Sequence, residues 1–386
     1  MTLDAIAILE RLVAFDTVSS RSNLALIEWV ADYLSRCGIE PELVYRPDRA
    51  KANLLATIGP SDRGGVILSG HTDVVPVADQ AWDSDPFRLE RRADRLYGRG
   101  TADMKGFIAL ALALAPRAAA MPLEVPLHLA FSYDEEVGCL GVPALIDRLP
   151  RGGRRPLMAI IGEPSEMRVA NAHKGIQFLR TSVVGKEGHS SAPQAGVNAI
   201  AAAAEIIAEI GRLAAERQAA AQTPNPFDPP YTSFNIGRIA GGTAVNIIAR
   251  ECVFEWEFRT LPGDDALAPR RRIDHFIEHD LLPRMRSVDP EARVTTEIAA
   301  QVPPLVPDPA SPAEVLARKL AGGAETTTIA FATEAGLFQA AGIPAVICGP
   351  GSIAVAHKPN EFITDAQLAA GAAFLDRLAN WACGRD

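Results

Sequence analysis

Histidine and carboxylate side chains that could bind metal ions occur at five separate places in this chain. Two histidines and three carboxylates are suited to holding two zinc or similar ions, each with one histidine, one carboxylate of its own and a carboxylate that bridges both ions. In an extended segment a carboxylate two residues from a histidine could also orient its ring. The five places are His71 with Asp73, then Asp103, the pair Glu135 and Glu136, Glu163, and His357.

Each of these places, taken alone, also has an ordinary structural interpretation. Asp103 could be a helix N-cap, Glu163 a capping or loop residue, and His357 a structural histidine with its hydrogen bonds satisfied. His71-Thr72-Asp73 could lie in a solvated loop. Glu135-Glu136 could form a solvated turn, although two adjacent carboxylates repel each other unless a cation or a raised pKa relieves them. The combination of all five favours the metal site.

The elements before these side chains predict how they meet. Continuous apolar stretches predict strands at 66–69, 127–133 and 158–162, and each ends just before one of the places named above. Apolar strands that alternate with helices predict an α/β layered sheet covered on both faces. Ligands of such sheets gather beyond the carboxyl ends of the strands. The glycine-rich loop 98–106 around Asp103 is expected to enter a buried helix.

A length of 386 residues favours two domains. Between 176 and 293 the pattern changes to strand, helix, strand, strand, helix, strand, which resembles a small ferredoxin-like α+β domain. We therefore expect a layered α/β catalytic domain formed by 1–175 and 294–386, interrupted by an inserted domain at 176–293. The predicted elements of the insert are strands 177–184, 232–237 and 252–259, with helices after residue 193 and at about 266–282.

Composition excludes several kinds of partner. The net charge of −9 without a basic stripe argues against nucleic acid or an anionic membrane as partner. The longest apolar run, 107–116, is too short to span a bilayer. The first residues lack the features of a signal peptide, and five scattered cysteines form no Cys-x-x-Cys pair. We expect a cytoplasmic protein in a reducing compartment.

Six motifs in one order carry a resemblance to a known family. The chain resembles the di-zinc metallopeptidase family that includes acetylornithine deacetylase, succinyl-diaminopimelate desuccinylase, carboxypeptidase G2 and aminoacylase-1, and the resemblance covers essentially the whole chain. It implies a zinc-peptidase-like catalytic domain and hydrolysis of a linear amide. The motifs are Ser69-Gly70-His71-Thr72-Asp73, Gly98–Gly106, Asp134-Glu135-Glu136-Val137-Gly138, Gly162-Glu163-Pro164-Ser165, Gly188-His189-Ser190-Ser191 and Ala356-His357-Lys358-Pro359-Asn360-Glu361-Phe362.

The resemblance implies a role for each site residue. His71 and His357 would each bind one of two divalent ions, zinc or alternatively cobalt. Asp103 would bridge the ions, and Glu136 and Glu163 would each complete one of them.

The resemblance also implies the residues that act around the ions. Asp73 would orient His71, and Glu135 would be the general base on a metal-bridging water. His189 would reach into the site of a second subunit and polarise the scissile carbonyl. The active unit would then be a homodimer, with the insert as both dimer interface and lid.

Three further stretches favour the acetylornithine deacetylase branch of this family, namely Thr333-Glu334-Ala335, 348–352 and 241–248. This branch implies hydrolysis of N2-acetyl-L-ornithine to L-ornithine and acetate, in arginine biosynthesis. The alternatives are a deacylase of another N-acyl amino acid, such as acetyl-diaminobutyrate or succinyl-diaminopimelate, and a catalytically silent binding protein. No ligand or base is lost, which argues against the silent protein.

Four residues are candidates for substrate binding. Arg259 could clamp a substrate carboxylate or form a surface salt bridge. Glu334 could meet a side-chain ammonium or simply start a helix. Asn246 could hold the substrate carbonyl or carboxylate, and backbone N–H groups at Gly351 could bind an anion or belong to an ordinary turn.

Overall fold

A computed structural model describes residues 3–323 and 325–385. The chain divides into two compact units. The first contains the segments up to Ala172, from Leu305 to Thr328 and from Thr333 onward, and the second contains His173–Pro304 and Ile329–Ala332.

The strands are β1 Pro41–Tyr45, β2 Ala52–Ile58, β3 Val66–His71, β4 Glu90–Arg92, β5 Arg95–Tyr97, β6 Leu127–Ser132, β7 Met158–Pro164, β8 Ala170–His173, β9 Gly175–Val184, β10 Ser233–Gly241, β11 Glu251–Thr260, β12 Arg293–Val302, β13 Thr327–Ile329, β14 Ala345–Gly349 and β15 Phe362–Thr364. The helices are α1 Ala5–Val13, α2 Leu24–Arg36, α3 Gly106–Ala119, α4 Val142–Arg148, α5 Ala199–Ala219, α6 Ala268–Phe276, α7 Leu282–Arg286, α8 Pro312–Leu320, α9 Ala335–Ala340 and α10 Asp365–Ala382.

An eight-stranded mixed sheet forms the centre of the first unit, in the order β1-β2-β6-β3-β7-β14-β8-β13. Its central strands β6, β3, β7 and β14 run parallel and are buried at every residue. Burial on both faces explains why these strands read as continuous apolar runs in the sequence. Helix α3 packs against α1 and α10 on the sheet. Its Ala111, Leu112 and Ala115 have no exposed surface.

The second unit is built on a four-stranded antiparallel sheet in the order β10-β11-β9-β12. Alternate residues of β11 are buried, and Phe254, Trp256 and Phe258 pack with Ile206 and Ile210 of α5. The chain order β9-α5-β10-β11-α6-β12 is the ferredoxin-like pattern. The expected α/β sheet with a separate α+β unit is thereby confirmed.

The sequence analysis ends the inserted domain at residue 293, and strand β12 extends beyond that boundary. Its residues pair with β9 from Arg293 opposite Val184 to Val302 opposite Ile176. The second compact unit accordingly runs on to Pro304. The odd-numbered side chains of β12 are exposed, whereas Ala300 and Val302 on its other face are buried, so the strand alternates like the half-covered strands of an antiparallel sheet.

Candidate active site

Three of the predicted places do meet at one edge of the large sheet. His71 is the last residue of β3, Glu163 lies near the end of β7, and Glu135-Glu136 follows β6. Strand β3 pairs in parallel with both β6 and β7. The parallel register therefore brings the side chains that follow these strands to the same place.

Asp103 lies between the two histidines. Its Oδ1 is 3.0 Å from Nε2 of His71, and its Oδ2 is 3.3 Å from Nε2 of His357. Helix α3 begins only at Gly106, and the residue at its N-cap is Lys105. The helix-cap interpretation of Asp103 is therefore wrong, and its carboxylate faces one imidazole with each oxygen.

Two further carboxylates divide between the histidines. Glu163 Oε1 lies 3.8 Å from His71 Nε2, and Glu136 Oε2 lies 3.0 Å from His357 Nε2. Each histidine thus has one carboxylate of its own and shares Asp103. Glu135 is also close, since single ligand atoms of His71, Glu135 and Glu163 all lie within 4.8 Å of one another.

Burial and mutual repulsion shift the pKa values of these groups. Burial raises the pKa of Glu136 to about 7, and it raises the pKa of Glu135 and of Glu163 well above the usual range. Hydrogen bonds to Asp103 and Glu136 raise the pKa of His357 to about 10. Burial opposes protonation of His71, but Asp103 and nearby glutamates still raise its pKa. The crowded carboxylates thus favour a bound positive charge, either protons or metal ions.

The geometry fits divalent cations. Oε1 of Glu163 is buried without a hydrogen-bond partner among the described residues, which is costly unless a cation neutralises it. The contacts between histidine nitrogens and carboxylate oxygens span 3.0–3.8 Å. Tetrahedral ligands about 2.0–2.1 Å from a zinc ion lie about 3.3–3.4 Å from one another. The residues present can hold two such ions.

Asp73 differs in detail from its predicted role. His71 Nδ1 lies 2.9 Å from the backbone carbonyl of Asp73, whereas the Asp73 carboxylate is 3.7 Å from that nitrogen. A proton on Nδ1 directed at the carbonyl leaves the Nε2 lone pair for a cation. The carboxylate instead accepts the backbone N–H groups of Glu135 at 3.1 Å and Glu136 at 3.3 Å, and the hydroxyl of Ser19 at 2.7 Å. Asp73 therefore fixes the Glu135-Glu136 turn.

A cysteine that the sequence reasoning did not single out contacts Glu135. The thiol of Cys139 donates to Glu135 Oε1 across 3.3 Å. Cys139 is buried, and burial raises the pKa of its thiol well above the usual range. A neutral thiol is a donor, so it orients the carboxylate. A spacing of four residues beside Glu135 was the only sequence sign of this contact.

Glu334 and Gly351, two of the predicted substrate-binding residues, form hydrogen bonds within the first unit. Glu334 is buried and accepts hydrogen bonds from the hydroxyls of Ser69 and Ser132. The backbone N–H of Gly351 donates to Gln367 Oε1 at 3.3 Å. Gly351 has φ +90°, which favours glycine. The structure thus assigns both residues partners inside the protein rather than open positions.

The second unit brings His189 and Asn246 together. Ser190 donates its backbone N–H to the Asn246 carbonyl at 3.1 Å, next to an isolated bridge between His189 and Ile247. The backbone N–H of Ser191 donates to His189 Nδ1 at 3.1 Å. Nδ1 is therefore an acceptor, and the neutral ring carries its proton on Nε2.

Arg259 already has a carboxylate partner in the second unit. Its Nε and Nη2 donate to the two oxygens of Glu257 at 3.0 and 3.4 Å. Both side chains are partly exposed. This pair matches the salt-bridge interpretation of Arg259.

Comparisons with known proteins agree with this geometry. Residues 67–381 match the peptidase family M20/M25/M40. An acetylornithine deacetylase of Myxococcus xanthus is 36% identical over 99% of both chains. One from Proteus mirabilis is 36% identical over 91% of this chain and 88% of its own.

Solved structures share the fold. An M20 family metallo-carboxypeptidase of Sulfolobus solfataricus superposes with a TM-score of 0.77 at 16% identity, covering 99% of both chains. A Bacillus subtilis protein described as a dinuclear metal-binding peptidase of the M20 family gives a TM-score of 0.64 at 16% identity, covering 99% of this chain and 98% of its own.

The fold and the site define a hydrolase that acts on amide bonds. The chain belongs to peptidase family M20/M25/M40, so the predicted family resemblance is confirmed. Among the described residues, no helix is long and apolar enough to cross a membrane.

Proposed function

We propose that this protein is a di-zinc deacetylase that converts N2-acetyl-L-ornithine to L-ornithine and acetate, as a cytoplasmic step of arginine biosynthesis. The observation that carries the catalytic part is the Asp103 carboxylate, which faces His71 with one oxygen and His357 with the other. The substrate is supported by relatives of 34–36% identity that are named acetylornithine deacetylases.

Each of two cations has a ligand set in this proposal. His71 and Glu163 would hold one ion, His357 and Glu136 would hold the other, and Asp103 would be shared by both. Two such ions, when bound, polarise the amide carbonyl and acidify the attacking water. Asp73 holds the His71 ring through its carbonyl and the Glu135-Glu136 turn through its carboxylate.

Glu135 is the general base in this proposal. Its carboxylate lies beside the ligands, and its raised pKa suits a group that takes a proton and later gives it up. It accepts a proton from the attacking water and delivers it to the leaving amine. Asp73 and Cys139 hold it through the backbone N–H and one carboxylate oxygen.

His189 supplies the remaining polar group. With Nδ1 bonded to Ser191, its Nε2–H is free to donate to the carbonyl oxygen as that atom gains negative charge. We propose that His189 acts in the active site of a second copy, so that the second unit is both dimer interface and lid. Size-exclusion chromatography with light scattering tests this, because a strictly monomeric active enzyme would refute it.

The substrate would contact four further residues in this proposal. Asn246, next to His189, would hold the carbonyl or carboxylate of the substrate, and Arg259 would exchange Glu257 for a substrate carboxylate. Glu334, buried on two serine hydroxyls, would act on a substrate ammonium through its charge. The backbone at Gly351 would present polar N–H groups near the site.

A panel of N-acyl amino acids tests the substrate. Measurement of kcat/KM should favour N2-acetyl-L-ornithine over acetyl-diaminobutyrate, succinyl-diaminopimelate and neutral acetylated amino acids. Preference for a neutral acetylated amino acid would refute the role of Glu334. Two bound zinc equivalents without hydrolysis of any member would instead favour a silent binding protein.

A further inference from the structure

A buried ion pair links the two loops that carry Asp103 and His357. Nη1 of Arg99 donates to Oε2 of Glu361 at 2.8 Å, and each side chain is only 1% exposed. Arg99 lies four residues before Asp103, and Glu361 lies four residues after His357. Neither residue belongs to the proposed ligands or to the general base.

The Glu361 carboxylate holds the backbone of the Asp103 loop. Its Oε1 accepts the N–H groups of Ala102 at 2.9 Å and Asp103 at 3.1 Å. Its Oε2 accepts the N–H of Gly100 at 3.0 Å in addition to Arg99. Four donors converge on one carboxylate, which is the side-chain group that accepts at two oxygens without donating.

Arg99 carries the connection on to the His357 loop. It donates to the carbonyl of Lys358 at 3.3 Å and to Gln80 Oε1 at 2.6 Å. Gln80 in turn donates to the backbone carbonyl of His357 at 2.9 Å. His357 has φ +62°, a conformation that non-glycine residues adopt only at a cost. These bonds hold it there.

We propose that Glu361 and Arg99 are positioning residues that set the distance between the Asp103 carboxylate and the His357 ring, and so tune the cation position that these two share with Glu136. This inference rests on the proposed function, because it requires a two-cation site. Both cation positions share Asp103, but the other one depends less on this pair, because its remaining ligands, His71 and Glu163, lie on strands of the central sheet.

The test measures zinc retained by the purified holoenzyme after equilibration in buffers of defined free Zn²⁺. In Glu361→Gln the amide N–H₂ would face backbone donors, so the loop shifts. We expect one zinc equivalent to keep its wild-type affinity within about 3-fold and the other to weaken about 10- to 100-fold. Gln80 is partly exposed and links Arg99 to the backbone carbonyl of His357, so Gln80→Ala should weaken the same equivalent by less, about 3- to 10-fold.

A matched control separates positioning from stability. Glu209 of the second unit is another buried carboxylate that accepts from two arginines, Arg212 and Arg272. Glu209→Gln should lower the Tm and leave both zinc affinities unchanged. If Glu361→Gln behaves the same way, or weakens both equivalents equally, the inference is refuted. If Glu361→Gln does not fold, wild-type zinc affinities in Gln80→Ala refute it. A wild-type protein that retains fewer than two equivalents would instead refute the proposed function.

Discussion

Glu135 and Glu136 are adjacent carboxylates with different proposed roles, and Glu135→Gln separates them. Both lie near the histidines, and Glu135 is near enough to His71 and Glu163 to be a ligand itself. The substitution removes a proton acceptor but keeps the shape of the side chain. The Asp73 carboxylate accepts hydrogen bonds from the backbone N–H groups of both glutamates, not from their side chains, so the turn should stay in place.

The expected loss follows from the role of a general base. Such a group contributes about 10²–10⁴-fold to the rate, which corresponds to about 2.7–5.4 kcal/mol of activation free energy at 1.36 kcal/mol per factor of ten. We expect kcat of Glu135→Gln to fall by this factor, while KM and the content of two zinc ions stay near those of the wild type.

The assay pairs steady-state hydrolysis of acetylornithine with zinc analysis of the same preparation. The matched variant is Glu136→Gln, which should lose one zinc equivalent because Glu136 is the proposed ligand beside His357. Near-normal turnover of Glu135→Gln would refute its role as base. Loss of a zinc ion from Glu135→Gln, with both retained in Glu136→Gln, would show that the two roles are exchanged.

Three further predictions concern the bridge, the metals and acid stability. Asp103→Ala should lose both zinc equivalents and His71→Ala mainly one; wild-type retention of one equivalent by Asp103→Ala would contradict the bridge. Dialysis against a chelator should abolish amide hydrolysis and added Zn²⁺ should restore it, and activity that survives complete metal removal would contradict this. Burial lowers the pKa of His128 from 6.5 to about 4. Between these two values the unfolded chain binds a proton at His128 that the folded chain does not bind. The free energy of unfolding therefore decreases as the pH falls from 6.5 towards 4. Urea denaturation at pH 7.5 and pH 5 should show that this proton costs the wild type about 2 kcal/mol of unfolding free energy. His128→Gln should lack this contribution. Equal decreases in unfolding free energy in both proteins would refute the lowered pKa of His128.

The central sheet was predictable because its strands are buried on both faces. The stretches predicted at 66–69, 127–133 and 158–162 correspond to β3, β6 and β7. The three-residue strands β4 and β5 were missed, because they are too short to show a continuous apolar run or an alternation. Pairing with a neighbour, rather than local preference, determines such strands.

The positions of His71, Glu135-Glu136 and Glu163 were predictable because all of them follow strands of one parallel sheet, whereas the roles of Asp103 and His357, which lie on loops, came only from the family resemblance. Their supports were not predictable. Asp73 was expected to act through its carboxylate on His71, yet the structure uses its carbonyl there. Ser69 and Ser132 bind Glu334 across more than 200 residues of chain. Hydrogen bonds of that sequence separation leave no local pattern.

The unequal exposure of the two histidines sets an order for metal exchange. The side chain of His71 is 1% exposed, whereas that of His357 is 51% exposed. An ion held by His357 can release its protein ligands one at a time into water, whereas an ion held by His71 must leave through a buried cluster. We therefore expect metal exchange to be faster at the position held by His357. If the proposed di-zinc enzyme is placed briefly in Co²⁺, it should become a mixed-metal species with cobalt at that position, and its absorption spectrum would report on that position alone.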